Sequence, residues 1–189
     1  MLSRSRVLFS RSVRYYGTKT KRQSVLKGNP LLVVPENQSV SRESFFAKKR
    51  VVLFGVPGAF TPVCTNKHLP SFLNNISAFK SKGVDTVACV AVNDPFALQA
   101  WAEKLEVKPE DITFIADWNA EFVKELGLDA DLSGANLGTR SKRFAMIVDN
   151  GKVVTSNVEI SPGDLSIASG EKMLEDLSSF SFSPDSDSD

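Results

Sequence analysis

The chain has 189 residues, 42% of them hydrophobic and 24% charged, with a formal net charge of +1. That length holds one ordinary domain with a packed core, and the charge balance excludes a nucleic-acid binder by charge and a disordered acidic chain. No stretch approaches the roughly 20 apolar residues of a membrane helix, and two cysteines with a single histidine exclude a disulfide scaffold and a Cys/His zinc cluster.

The amino-terminal part has a composition of its own. Before the first acidic residue, Glu36, stand eight basic ones: Arg4, Arg6, Arg11, Arg14, Lys19, Lys21, Arg22 and Lys27. Ser3, Ser5, Ser10, Ser12, Thr18 and Thr20 are interleaved with them. An Arg-rich, Ser-rich, acid-free start describes a mitochondrial presequence. Chloroplast targeting is the nearest rival, and a basic disordered arm is the plainest alternative. Arg14-Tyr15-Tyr16 looks like a processing motif of the matrix peptidase, which places cleavage near residues 14–17. Residues 1–27 are read as targeting sequence and basic arm, and 28–177 as the folded domain. Residues 178–189 are Ser/Asp-rich and cannot bury enough surface to order themselves.

Between the ends, strands and helices alternate. Residues 51–56 (VVLFGV) are a short apolar run that reads as a buried central strand. Residues 84–92 and 112–116 are two more, rich in β-branched side chains. Residues 144–149 and 152–155, joined by Asn150-Gly151, form a hairpin signal. Helices are predicted at about 62–80, 95–105, 119–127 and about 164–177. This order gives an α/β core, a central mixed sheet flanked by helices, and it resembles a thioredoxin-type fold.

The chemistry lies at the first strand–helix junction, Pro57-Gly58-Ala59-Phe60-Thr61-Pro62-Val63-Cys64. Thr61 suits an N-cap and Pro62 the first helical position, so Cys64 falls in the first turn. Unpaired backbone N–H groups and the positive helix end there favour thiolate over thiol. A dithiol oxidoreductase carries Cys-x-x-Cys at such a junction. Here the first position is Thr61, so that exchange cycle is unavailable. His68, four residues on, shares the helical face of Cys64, where it could tune the thiolate or simply fill space. It stays outside the catalytic set.

Pro57-x-x-x-Thr61-x-x-Cys64 resembles the peroxidatic motif of peroxiredoxins. The longer string from Gly55 to Cys64, with Lys67-His68-Leu69-Pro70 after it, is similar to the type II, or peroxiredoxin-5-like, subfamily. Further matches are Ala91-Val92-Asn93-Asp94-Pro95-Phe96 through Trp101, Phe114-Ile115-Ala116-Asp117 and Lys142-Arg143-Phe144-Ala145-Met146-Ile147-Val148. The resemblance implies a thioredoxin-like fold and a thiol-specific peroxidase, passing through a sulfenic acid at Cys64. It also implies oxygen-directed donors from the Thr61 hydroxyl, the Cys64 N–H and the Arg143 guanidinium, with Pro57 shielding the sulfur.

Cys89 lies mid-strand, where a free cysteine packs as a small apolar group. Plant-type members of the subfamily have been treated as using a cysteine at this spacing as resolving partner. Animal-type members resolve from a C-terminal loop, and the corresponding stretch 165–170 has no cysteine. A one-cysteine cycle with glutathione and glutaredoxin or thioredoxin as external reductant is expected, with a two-cysteine cycle through Cys89 as the alternative. No cofactor, nucleic acid or membrane insertion is expected. Phe54, Phe60, Phe96 and Trp101 are candidates for an apolar collar around the site and for a homodimer face. A peroxide sensor that hands its oxidation to a partner protein, and a non-catalytic holdase, are the readings from other classes.

Overall fold

A computed structural model of the chain describes residues 23–179. Of the expected targeting sequence and arm, 1–27, residues 1–22 lie outside the described residues, as do residues 180–189 of the expected tail, 178–189; Ser178 and Ser179 belong to the last helix instead.

The main sheet has seven strands: β1 (Leu31–Val34), β2 (Gln38–Val40), β3 (Arg50–Val56), β4 (Thr86–Ala91), β5 (Thr113–Ala116), β8 (Phe144–Asp149) and β9 (Lys152–Val158). Their spatial order is β2-β1-β5-β4-β3-β8-β9. β3, β4 and β5 run parallel, and β1, β8 and β9 pair antiparallel with their neighbours. A small separate ribbon pairs β6 (Asp129–Asp131) with β7 (Thr139–Ser141).

Among the described residues six α-helices cover the sheet: α1 (Arg42–Phe46), α2 (Leu69–Leu73), α3 (Ile76–Ser81), α4 (Pro95–Lys104), α5 (Glu121–Glu125) and α6 (Gly170–Ser179). Successive residues of a strand point to opposite faces, and β3 divides its side chains accordingly. Val52, Phe54 and Val56 pack with Leu69, Phe72, Phe79, Leu98, Trp101 and Met173. Val51 and Leu53 pack with Phe45, Phe46, Phe122 and Val123. Helices α2, α3, α4 and α6 therefore lie on one face and α1 and α5 on the other. With both faces covered, the central strands need no polar side, which is why β3 reads as an unbroken apolar run. The mixed sheet and thioredoxin-like architecture match the expectation.

Carboxylates at strand ends start the following helices. Asp94 Oδ1 accepts from the Ala97 N–H at 2.9 Å ahead of α4, and the two oxygens of Asp117 accept from Phe122 and Val123 at 3.0 and 2.9 Å ahead of α5. The Asn150-Gly151 turn has positive φ at both residues, 46° and 70°, as the hairpin signal requires.

Several boundaries differ from the sequence reading. The helix expected at about 62–80 is interrupted: it starts at Pro62, turns π-helical over Cys64–His68, continues as α2 and breaks at Asn74-Asn75 before α3. The last helix begins at Gly170 rather than near 164, because residues 166–168 give their N–H groups to the Glu159 side chain instead of a helix. Strands β1, β2, β6 and β7 were not anticipated. The chain is also packed before residue 28. Val25 is buried in the core and donates to Gly151 O at 2.9 Å, Val153 donates to Gln23 O at 3.0 Å, and Ser24 bridges Lys152. Among the described residues no helix is long and apolar enough to cross a membrane.

Candidate active site

β3 delivers the chain to the site. Pro57 and Gly58, just past its end, are buried, and Phe60 takes a left-handed conformation with φ of 62°. For a residue with a side chain that costs roughly 1–2 kcal/mol, and it turns the chain back toward the helix start. Three side chains, those of Asn93, Arg140 and Thr61, fix the loop. Ala59 N–H donates to Asn93 Oδ1 at 3.0 Å. Arg140 donates to Val92 O at 2.9 Å and to Leu137 O at 2.8 Å, and its guanidinium stands against Gly58. The Thr61 hydroxyl donates to Gly58 O at 2.8 Å. With its proton turned to Gly58 O, Thr61 Oγ1 keeps a lone pair with which to accept.

Cys64 follows in the π turn, whose defining bond runs from the Leu69 N–H to Cys64 O. Turns of this kind are rare and concentrate at functional sites. The cysteine is fully buried.

Arg143 arrives from the opposite direction. β8 pairs with β3 so that Phe144 faces Gly55, and this register sets Arg143 beside the end of β3. Only glycine fits at position 55, because a Cβ there would enter the Phe144 ring. Both terminal nitrogens of Arg143 stand 3.5 Å from Cys64 Sγ. Nη2 also donates to Pro162 O at 2.7 Å, and Nη1 to His68 Nδ1 at 3.0 Å. His68 Nε2 lies 2.9 Å from Ala168 O. A carbonyl can only accept, so Nε2 carries the proton and Nδ1 is left free to accept from Arg143. Burial first, then the adjacent Arg143 charge, lower the His68 pKa to about 3, although the Ala168 contact works the other way. The imidazole is therefore a neutral acceptor that aims the guanidinium. Sequence reasoning had set His68 aside; its spacing of four from Cys64 was the available signal.

The structure joins Cys64 and Arg143 directly and sets Thr61 and Pro57 on the loop leading to them. Cys89 is buried in β4, opposite Phe54 of β3 and Phe114 of β5, in the core layer that also holds Cys64. Both cysteines are free. Burial, and then the nearby Cys64, push the Cys89 thiol well up, so it stays protonated. Of the four expected collar residues, Phe54 and Trp101 are wholly buried. Phe54 stacks on Phe72 at 4.1 Å, and Trp101 donates to Thr65 Oγ1 at 3.1 Å. Only Phe60 and Phe96, 54% and 72% exposed, remain for a surface.

The Redoxin family model matches residues 22–174. The mitochondrial peroxiredoxin-2F of Oryza sativa subsp. japonica is 48% identical over 135 residues, 71% of this chain and 68% of that one. Its counterpart in Arabidopsis thaliana is 50% identical over 129 residues, 68% of this chain and 64% of that one. The chain belongs to the peroxiredoxins. It is a type II peroxiredoxin of the mitochondrial form, a thiol-dependent peroxidase that serves antioxidant defence. This peroxiredoxin also superposes on the crystal structure of reduced Prx3 from Vibrio vulnificus in complex with hydrogen peroxide, with a TM-score of 0.77 and 41% identity, covering 84% of this chain and 95% of that one.

Proposed function

We propose that Cys64 is the sulfur that attacks the peroxide. The observation that carries this reading is the double approach of the Arg143 guanidinium to Cys64 Sγ, 3.5 Å from each terminal nitrogen, with both residues buried. The thiolate attacks one peroxide oxygen, an S–O bond forms and the O–O bond breaks. Cys64 is left as the sulfenic acid, and the departing hydroxide or alkoxide takes up a proton to become water or alcohol. Charge spreads over both oxygens as the bond breaks, and donors already aimed at them lower the barrier. Arg143 supplies such donors. Its Nε is buried without a hydrogen-bond partner, a state that costs free energy in the resting enzyme and suits an incoming oxygen. Thr61 presents its lone pair to the peroxide O–H, and Pro57 limits access to the sulfur.

An outside thiol, glutathione with glutaredoxin or thioredoxin, returns the sulfenic acid to the thiol. The buried, protonated state of Cys89 supports this one-cysteine cycle. Two working copies associate through the sheet end that carries Phe60 and Phe96. Residues 1 to about 17 direct the protein to the mitochondrial matrix and are then removed, a reading supported by the acid-free, Arg-rich start.

The test is peroxide consumption by wild type and Cys64→Ser with each reductant system. Loss of turnover in the variant, together with one added oxygen on wild type but not on the variant by intact mass, is expected. Turnover near wild type in Cys64→Ser overturns the assignment. For targeting, residues 1–35 fused to a reporter should give a matrix-located, shortened product; a cytosolic or full-length reporter overturns that part.

A further inference from the structure

The segment that follows β9 does more than connect it to α6. Glu159, directly after β9, is buried, and its carboxylate collects four hydrogen bonds from within its own loop. Oε1 accepts from the N–H groups of Ser166, Ile167 and Ala168 at 2.6, 2.8 and 2.9 Å. Oε2 accepts from the Ser166 hydroxyl at 2.9 Å. The Glu159 N–H donates to Arg143 O at 2.9 Å, so the start of the loop is tied to the backbone of the arginine itself. A buried carboxylate ringed by backbone donors fixes the path of the chain around it.

That path ends in two carbonyls. Pro162 O accepts from Arg143 Nη2 at 2.7 Å, and Ala168 O accepts from His68 Nε2 at 2.9 Å. His68 in turn receives Arg143 Nη1. Each terminal nitrogen facing Cys64 is therefore oriented by a group that the Glu159 loop positions, one directly and one through the imidazole. The sulfur and the carboxylate share no contact.

We propose that Glu159 is a positioning residue for peroxide reduction: it folds residues 160–168 so that Pro162 O and Ala168 O together aim the Arg143 guanidinium at Cys64. This rests on the role given above to Arg143. A guanidinium displaced by an ångström loses its alignment with the oxygens, and misplacement of that size costs on the order of a hundredfold in rate.

Two reactions of the same sulfur separate positioning from general loosening. Hydrogen peroxide needs the oxygen-directed donors; alkylation by chloroacetamide does not. Both second-order rates are measured at a common alkaline pH for wild type, Glu159→Ala, Glu159→Gln and Arg143→Ala. Glu159→Ala should slow the peroxide reaction about tenfold to a hundredfold while alkylation changes less than about threefold. Glu159→Gln keeps an oxygen where Oε1 stands and should recover most of the peroxide rate. Should Glu159→Ala not yield folded protein, Glu159→Asp, one methylene too short to reach all three N–H groups, should show the same peroxide-selective loss. An unchanged peroxide rate in the variant that folds overturns the proposal, as does an equal loss in both reactions or a failure of Glu159→Gln to recover. If Arg143→Ala also keeps the wild-type peroxide rate, the role of Arg143 falls with it. If Arg143→Ala is slow while Glu159→Ala is not, only the positioning role falls.

Discussion

Nη1 of Arg143 donates to Nδ1 of His68 across 3.0 Å, and the pair is buried beside Cys64. Burial first, and then the cation beside it, keep the imidazole neutral. Folded His68 takes up a proton only near pH 3, whereas an unfolded imidazole does so near pH 6.5. Between those values the unfolded state binds the extra proton, so stability falls as the pH is lowered through that window, at up to about 1.4 kcal/mol per pH unit. Denaturant unfolding of wild type and His68→Gln from pH 7 to pH 4 should show a flatter profile for the variant. Parallel profiles would remove His68 as the cause.

Arg143→Ala should slow the reaction with peroxide by about a hundredfold, on the order of 3 kcal/mol, as expected when an oxygen-directed donor is removed. Arg143→Lys should recover little of this. A lysine keeps the charge but has no rigid fork with which to hold His68, Pro162 O and the sulfur together. Stopped-flow peroxide kinetics on the two variants decide the point, and a lysine variant near wild type would show that charge alone suffices.

Cys89→Ser should retain most of its turnover with glutathione and glutaredoxin. The thiol is buried in a central strand and held protonated, so it is a poor nucleophile toward a sulfenic acid. Wild type treated with peroxide and then glutathione should carry a glutathione adduct on Cys64. A product two hydrogens lighter, with a Cys64–Cys89 linkage on digestion and a stalled Cys89→Ser enzyme, would instead establish the two-cysteine cycle.

Gly170→Ala should destabilise the fold by roughly 1–3 kcal/mol, the usual cost of forcing a methyl group into a packed contact. The first residue of α6 lies against the Ser71 carbonyl of α2, which the added Cβ would meet. Its N–H donates to Ser71 Oγ at 2.9 Å, so the two helices cannot separate freely. Urea unfolding should show a lower midpoint with an unchanged slope; an unchanged midpoint would mean that α6 shifts without cost.

The strand at 51–56, the Asn150-Gly151 hairpin and the Cys64 junction were legible because each is written in adjacent residues. The partners of Cys64 were not. Arg143 is 79 positions away and could be reached only through resemblance, and the contact that sets the His68 tautomer spans 100 positions. The π turn was hidden as well, since a single extra residue in a helix barely disturbs the apolar spacing. Residues 164–169 read as helix because their side chains allow it, but a carboxylate at position 159 takes the N–H groups that a helix would use. β1 and β2 are too short, and too closely followed by turn residues, to stand out as strands.

Gln23–Val25 sets how far the chain can be shortened from its amino-terminal side. β9 is an outermost strand of the main sheet, and the first residues of its free edge are closed by the Ser24–Lys152 bridge and the Val153 bond to Gln23. Exposed strand edges recruit other chains. Trimming past Val25 would uncover that edge and remove Val25 from the core. A chain that begins after Val25 should therefore aggregate more readily than one that begins at or before Gln23.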